Sequence, residues 1–230
     1  AISKQALNGA TLDVVWNRTL AANMISANVQ YGQIEKIKEV AGVQEVILEN
    51  RYEPCVVKQE ETADPNMATS DKMIGSSAAW AAGYTGAGSR IAIIDTGADV
   101  DHPSLDPDAL KYALQGSNAT IMTEADLTDE VLNQLNAYTR KAGLTAADFY
   151  VNEKIPFGFN YVDADTDITH DNDTQGDHGS HVTGIAAGNR FVKDEAGNYV
   201  AALDSVMTQG VAPDAQILTM KDFGKGGGAY

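Results

Sequence analysis

The first fifty residues carry short apolar stretches whose spacing alternates between that of strands and that of helices. Residues 12–16, 24–29 and 43–48 are predicted as strands. Residues 32–40 place Ile34, Ile37 and Val40 on one helical face, and Gly42 is positioned to end that helix. This part of the chain therefore reads as a self-contained mixture of strands and a helix.

A polar segment without any period follows at residues 59–70 and contains Pro65. Segments of this composition are linkers, and exposed linkers are where proteases cut. We therefore predict a boundary there, with a first unit at 1–64 and a second at 65–230.

The second unit alternates helices and strands. Residues 76–83 are predicted as a helix and the apolar run before Asp95 as a strand. An insertion-like region at about 107–156 carries a helix that starts after its N-cap, Thr128. Further strands are predicted at 157–162 and 215–220, on either side of an acidic loop and a small-residue helix. This order predicts an α/β fold with a doubly wound parallel sheet.

Composition and charge exclude several classes of partner. The chain has 230 residues and a formal net charge of −16, which argues against nucleic acid and anionic lipid. No apolar run is long enough to span a membrane. The first residues lack the layout of a signal peptide. The single cysteine, Cys55, excludes an internal disulfide but suits both the cytosol and cysteine-poor exported proteins, so the compartment stays open.

Asp95 ends an apolar strand and is followed by Thr96 and Gly97. The carboxyl end of a strand is where α/β sheets place their sites, and a buried acid there can hold an imidazole in one tautomer. The alternative is an aspartate that caps a turn through neighbouring N–H groups. Taken alone, the residue favours the turn.

His178 precedes a helix rich in glycine and alanine, whose small side chains allow close packing and would hold the histidine firmly. The alternatives are a surface histidine without a task and a metal site that also uses His181 and acids from 163–177. No zinc signature is present, so the metal interpretation is the weaker one.

The acidic loop at 163–177 suggests calcium, but an EF-hand loop counted from Asp171 has Gln175 at its fifth position and Val182 at its twelfth. The EF-hand pattern therefore fails. A calcium site of another kind stays open, and a solvated acidic loop is favoured.

A glycine cluster at Gly224, Gly226, Gly227 and Gly228 follows the last predicted strand. It lacks the Lys-Ser/Thr ending of a phosphate-binding loop. Such glycines suit either a tight turn or an edge along which an extended peptide can lie.

Three of these segments together resemble subtilisin-like serine proteases, the peptidase S8 family. Residues 93–97 (Ile-Ile-Asp-Thr-Gly) with 101–103 (Asp-His-Pro) resemble the aspartate motif. Residues 178–184 (His-Gly-Ser-His-Val-Thr-Gly) resemble the histidine motif, and 210–215 (Gly-Val-Ala-Pro-Asp-Ala) precede the last strand. The chain order Asp, His, Ser is that of subtilisin.

The resemblance implies roles for these residues in a serine endopeptidase that acts on polypeptides. Asp95 would orient and stabilise the imidazole, and His178 would act as general base and then general acid. His181 would pack behind them or support them. Residues 226–228, namely Gly226, Gly227 and Gly228, would form the strand edge that binds substrate backbone.

The resemblance also implies a domain organisation. Residues 1–64 resemble the later part of an inhibitory propeptide, a small ferredoxin-like α+β portion that would act as an intramolecular partner, and the linker would hold the maturation cut. Residues 65–230 would be the front of a truncated subtilisin-like catalytic domain. The resemblance further implies a bacterial protein that is secreted or bound to the cell envelope. It implies no cofactor for catalysis, and it is compatible with structural calcium.

Two departures from the family pattern change what is expected. Asp95 and His178 lie 83 positions apart, and the long insertion with residues 157–161 is similar to cell-envelope proteinases of the lactocepin and C5a-peptidase type. None of the ten serines has the Gly-Thr-Ser setting of the nucleophile, and the oxyanion asparagine is missing too. We therefore expect this chain alone to be inactive. The alternatives are a non-catalytic binding or inhibitory module and a metal-dependent hydrolase.

Overall fold

A computed structural model describes residues 1–18, 22–50, 52, 70–139, 141–171, 173, 176–206 and 208–225. Its α-helices are α1 (Ile2–Gln5), α2 (Ile34–Lys38), α3 (Ser70–Ile74), α4 (Ser76–Ala81), α5 (Pro107–Ala113), α6 (Asp129–Tyr138), α7 (Ala146–Phe149), α8 (His178–Ala187) and α9 (Ala202–Ser205). Its strands are β1 (Asp13–Arg18), β2 (Met24–Asn28), β3 (Arg90–Asp95), β4 (Phe157–Asn160), β5 (Phe191–Lys193), β6 (Tyr199–Ala201) and β7 (Gln216–Lys221). Short 3-10 helices lie at Tyr31–Gln33, Pro103–Leu105 and Glu124–Asp126.

The centre of the fold is a parallel sheet in the order β3, β7, β4. Its strands are the apolar runs that the sequence predicts, and helices separate them along the chain. The predicted α/β fold with a parallel sheet is therefore confirmed. The antiparallel pairs β1–β2 and β5–β6 lie outside this sheet.

Both faces of the central strand β7 are covered, so its side chains are buried or half-buried along its whole length. One core cluster lies between the sheet and α8, and its buried members are Ile93, Leu105, Ile155, Ile168, Ala187, Ala215 and Ile217. The buried members of the second cluster are Leu127, Leu144, Phe149, Phe157 and Phe159. Much of the second cluster comes from the region predicted as an insertion, so that region supplies part of the core.

The first fifty residues form a small unit with its own core. β1 and β2 pair in antiparallel fashion, and the buried residues of the unit are Ala6, Leu7, Ile37 and Val40. The strands predicted at 12–16 and 24–29 and the helix predicted within 32–40 are confirmed. The ferredoxin-like arrangement and the boundary between 1–64 and 65–230 stay predictions. Of the predicted linker at 59–70, only Ser70, which begins α3, lies within the described residues.

The strand predicted at 43–48 is wrong, because these residues have no strand pairing in the structure. Val43 and Val46 pack against the core of the first unit through their side chains. Ile47 and Leu48 are 70% and 67% exposed. The segment is therefore attached to the first unit by side-chain contacts, without the backbone hydrogen bonds that define a strand.

The strand predicted at 157–162 ends two residues early, at Asn160. The side-chain oxygen of Asn160 accepts a hydrogen bond from the Asp163 N–H at 3.1 Å. Its backbone N–H donates to the Asp165 carbonyl at 3.0 Å. This local bonding of an asparagine to the chain just beyond it turns the backbone out of the sheet.

The small-residue helix predicted from His178 is confirmed as α8, and its glycines let it approach the turn after β3 closely. A Cβ atom on Gly179 would lie 2.1 Å from the Gly97 carbonyl oxygen. Gly97 itself has a φ of 107°, and a Cβ atom there would lie 2.2 Å from the Ile168 carbonyl oxygen. The backbones of helix, turn and loop therefore lie in direct contact.

Lys154 is fully buried at the amino end of β7. Its ammonium group donates to the carbonyls of Pro213 at 2.8 Å and Ala215 at 2.9 Å, which lie just before that strand. Burial lowers the pKa of the Lys154 side chain from 10.5 to about 7, against a smaller opposing effect of the Asp214 carboxylate. The two hydrogen bonds hold the entry to the central strand in place.

We predict that Gly179→Ala lowers the free energy of unfolding by about 3 kcal/mol, because its new methyl group would overlap the Gly97 backbone, which cannot easily move. The matched control is Gly184→Ala in the same helix. A Cβ atom at Gly184 meets nothing within 4 Å, so alanine should stabilise the helix by up to about 1 kcal/mol. Urea unfolding of both variants measures the difference. Equal stability of the two variants would contradict the close approach of α8 to the turn.

We predict a pH-dependent stability difference between the wild-type chain and Lys154→Met. Since the pKa of Lys154 is about 7 in the folded chain and 10.5 when unfolded, the unfolded chain binds more protons between these values. Stability of the wild type relative to Lys154→Met should therefore rise from pH 7 toward pH 10, by at most about 1.4 kcal/mol per pH unit. Urea unfolding at pH 7, 8 and 9 tests this. Parallel pH profiles for the two proteins would refute it.

Candidate active site

The carboxyl ends of the three parallel strands bring polar side chains to one edge of the sheet. Asp95 ends β3, Asn160 ends β4 and Lys221 ends β7. The strand register places Lys221 opposite both Asp95 and Asn160. Sites in open α/β sheets lie at this edge.

Asp95 contacts both a neighbouring N–H group and an imidazole, the two partners that the sequence leaves as alternatives. Its Oδ1 atom accepts a hydrogen bond from the Thr96 N–H at 2.7 Å, as a turn-capping aspartate does. The same oxygen lies 2.7 Å from Nδ1 of His178. The Asp95 side chain is only 15% exposed, so the contact with the imidazole is partly shielded from water.

His178 is the first residue of α8, and its ring is 35% exposed. With Nδ1 directed at a carboxylate oxygen, the neutral ring carries its proton on Nδ1 and leaves Nε2 as the nitrogen that can accept another. The Asp95 carboxylate would stabilise the imidazolium that then forms. The pair is therefore arranged for proton transfer at Nε2.

Two hydrogen bonds between the turn after Asp95 and the start of α8 fix the histidine relative to the aspartate. The buried Thr96 hydroxyl accepts a hydrogen bond from the Gly179 N–H at 2.9 Å. The Ser180 hydroxyl accepts one from the Asp99 N–H at 2.7 Å. The turn after Asp95 thus bonds to the first turn of α8 at two points, directly beside His178.

The other histidines near the motifs lie differently. His181 is exposed on α8, where the resemblance implied packing or support. Nδ1 of His102 accepts a hydrogen bond from the Ser104 N–H at 3.1 Å and caps the 3-10 helix that follows. His102 therefore shapes the turn after β3.

Among the residues that the structure describes, no group of three or more His, Cys, Asp and Glu side chains is arranged to hold a metal ion. Carboxylates of the acidic loop instead bond to nearby backbone. Asp165 accepts from the Asp167 N–H at 3.0 Å, and Asp167 accepts from the Thr169 N–H at 3.1 Å.

Asp222 adds a partly buried acid next to Asp95. Its backbone N–H donates to the Asp95 carbonyl at 2.9 Å and so extends the contact between β7 and β3. Burial raises the pKa of the Asp222 carboxyl, and the positive charge of Arg18 opposes that rise. The first unit thus brings a positive charge close to this edge of the sheet.

The sequence analysis missed Lys221. The side chain is 1% exposed, and its ammonium group donates to the Thr169 carbonyl and pairs with the Asp173 carboxylate. The available signal is a lysine that closes an apolar strand, at the same edge where Asp95 closes another. A lysine in sequence is ordinarily taken to be solvated, and this one is not.

The predicted substrate-binding residues Gly226, Gly227 and Gly228 lie outside the described residues. Gly224, just before them, is buried against the loop after β4. A Cβ atom at Gly224 would lie 2.5 Å from Oδ2 of Asp163, so a larger residue would require the Asp163 and Val162 side chains to move. The backbone that leads toward the glycines is therefore fixed next to the sheet edge.

Comparison with known proteins places these features in a family. Residues 86–230 match the family model of the subtilase family, Peptidase_S8. That range begins just before β3 and includes both Asp95 and His178. The part of the chain that carries the parallel sheet is therefore the part that the family model recognises.

Relatives match over more of the chain. It is 31% identical to the PII-type proteinase of Lactococcus lactis subsp. cremoris over 96% of its own length and 10% of the relative's. It is 28% identical to the minor extracellular protease Vpr of Bacillus subtilis, over 78% of this chain and 15% of that protein. The chain thus spans about a tenth of the length of the lactococcal relatives that it matches. From the family match and these identities, the chain belongs to the subtilase family.

Proposed function

We propose that this chain forms the front part of a subtilisin-like serine endopeptidase that cleaves polypeptides through an Asp-His-Ser triad. One observation carries the proposal, the 2.7 Å contact between Oδ1 of Asp95 and Nδ1 of His178 at the carboxyl edge of the sheet. Family membership and the proteinase names of the relatives support it.

In the proposed mechanism, Nε2 of His178 takes the proton of a serine hydroxyl as that oxygen attacks the peptide carbonyl. Asp95 keeps the ring in the required tautomer and stabilises the imidazolium. His178 then gives the proton to the leaving amine, and an acyl-enzyme remains for water to hydrolyse.

The serine and the oxyanion donor would come from residues beyond these 230. None of the ten serines stands in a Gly-Thr-Ser stretch. Ser180, two residues after His178, uses its hydroxyl to accept the Asp99 N–H. We therefore propose that the 230-residue chain is inactive alone, since loss of the nucleophile removes most of the rate even when acid and base remain.

Residues 1–64 are proposed to be an inhibitory propeptide portion that binds the rest of the chain. Its separate buried core supports an independent unit. Its β1 strand also contacts the second unit, since the Trp16 ring lies 6.4 Å from that of Tyr161, just after β4. This contact would hold the first unit near the edge where Asp95 ends β3.

Substrate backbone is proposed to bind along Gly226, Gly227 and Gly228. Support comes from β7, which ends at Lys221 beside Asp95, so the chain leaves the sheet next to the acid–base pair. Extended peptides bind exposed backbone edges through main-chain hydrogen bonds, for which glycine leaves room. That catalysis needs no cofactor stays a prediction from the sequence, which is also compatible with structural calcium.

The named relatives include an extracellular protease, and this supports the proposal that the protein is secreted or bound to the cell envelope of a bacterium. No helix among the described residues is long and apolar enough to cross a membrane.

The proposed triad predicts that His178→Ala in the full-length protein lowers kcat for peptide hydrolysis by about 10⁶-fold, the loss seen when a triad histidine is removed. The matched control is His181→Ala, one turn along α8 and exposed, which should keep kcat within about twofold. Peptide cleavage assays measure both. An inactive wild-type protein that a serine-directed fluorophosphonate does not label would instead support a non-catalytic binding module.

The proposed propeptide predicts self-cleavage within residues 59–70 of the active full-length protein, because that polar linker joins the two units. N-terminal sequencing of the mature protein locates the cut. His178→Ala should abolish the cleavage and His181→Ala should retain it. Cleavage that persists in His178→Ala would contradict the role of His178 in maturation.

A further inference from the structure

Lys221 and Lys154 are both fully buried lysines in contact with β7, at opposite ends of the strand. Lys154 donates to carbonyls before the strand begins, and Lys221 is the last residue of the strand. Burial of an ammonium group is unfavourable unless it is paired and hydrogen-bonded. A buried lysine beside Asp95 is therefore a feature that the acid–base mechanism leaves unexplained.

Among the described residues, the polar contacts of the Lys221 ammonium group lie in the segment between β4 and α8. Its ammonium group donates to the Thr169 carbonyl and pairs with Asp173, whose side chain is 0% exposed. Asp173 stands five positions before His178, so this pairing fixes the chain shortly before it enters α8. A charge-assisted contact of this kind, shielded from water, is stronger than one on the surface.

The same segment also lies against the turn that follows Asp95. The Ala98 N–H donates to the Ile168 carbonyl at 2.9 Å. A Cβ atom on Gly97 would lie 3.3 Å from Cδ of Lys221, so the stem of the lysine passes directly beside that turn. The Lys221 side chain thus contacts both the turn after the aspartate and the segment before the histidine.

We propose that Lys221 is a positioning residue for the Asp95–His178 pair. Its backbone lies opposite Asp95 in the sheet, and its ammonium group holds Thr169 and Asp173, which precede His178 in the chain. The aspartate and the histidine are thereby kept at hydrogen-bonding distance, although Lys221 touches neither substrate nor reacting atoms. The inference rests on the proposed protease function, whose proton transfers depend on that distance.

Lys221→Met in the full-length protein tests the inference through kinetics. We expect kcat to fall by about 100-fold, as misplacement of catalytic groups by about 1 Å does, and KM to stay within about twofold. The matched control is Lys154→Met, which removes an equally buried lysine at the far end of β7 and should leave kcat within about twofold. A comparable fall of kcat in both variants would mean that Lys221 contributes stability alone, and would overturn the proposal.

A double variant separates positioning from stability. Lys221→Met alone leaves the buried Asp173 carboxylate without its lysine partner, which lowers Tm. Lys221→Met/Asp173→Asn removes that charge and should recover part of the Tm, while the contact with the Thr169 carbonyl stays lost and kcat stays low. Recovery of kcat together with Tm would sink the proposal.

A readout without catalysis keeps the inference testable if the full-length wild type proves inactive, an outcome that would count against the proposed function alone. In the 230-residue chain, the Nδ1 proton of His178 in its hydrogen bond to Asp95 should give a low-field proton NMR signal. Lys221→Met should broaden or abolish this signal, and Lys154→Met should retain it. A signal that is unchanged in Lys221→Met overturns the inference.

Discussion

The structure of the site depends on one close approach, that of the first turn of α8 to the turn after Asp95. Gly179 and Gly97 meet there with so little space that a Cβ atom on Gly179 would lie 2.1 Å from the Gly97 carbonyl oxygen. Without side chains between them, the two backbones lie closer together than other residues would allow. The Thr96 hydroxyl can therefore accept a hydrogen bond from the Gly179 N–H. The 2.7 Å contact between Asp95 and His178 follows from it, because His178 directly precedes Gly179 and Asp95 lies two residues before Gly97. The packing of the end of β3 against the start of α8 thus sets the distance between the carboxylate and the imidazole to one suited to proton transfer.

Charges buried at the two ends of β7 serve different parts of the molecule. Lys154 donates to two neutral carbonyls, and burial lowers its pKa to about 7 against the weaker opposing effect of the Asp214 carboxylate. Lys221 instead has the Asp173 carboxylate as a partner in a pocket that is closed to water. A paired buried ion holds its partner's segment in one place, since separating the two leaves an uncompensated charge. The paired lysine, Lys221, is thus the one at the edge that carries the site, where a fixed segment is needed.

Much of the site could be predicted because its signals are local in sequence. The apolar run that ends at Asp95 and the glycine- and alanine-rich stretch after His178 each define an element and its end, so β3 and α8 were found. The strand predicted at 43–48 was wrong because Val43 and Val46 pack by their side chains onto their own unit, and an apolar pattern does not reveal whether a strand partner exists. Lys221 and Lys154 were missed for a related reason, since burial of a charge depends on partners 48 to 61 positions away. The contribution of residues 107–156 to the core was not predicted either, because it depends on contacts with β4 that the sequence pattern does not show.

The position of β3 in the sheet connects the site to the rest of the proposed enzyme. Within the described residues, β3 pairs with β7 alone and so lies at the edge of the described sheet. Ile94, next to Asp95, is 64% exposed on the face of β3 opposite to that of Ile93. An edge strand with an exposed apolar residue is suited to pairing with further strands and to packing beneath a further layer. Additional chain on that side would cover Ile94 and approach the acid–base pair from the side opposite to β7. The proposal that the serine comes from outside these 230 residues therefore agrees with the place of β3 at the edge of the described sheet.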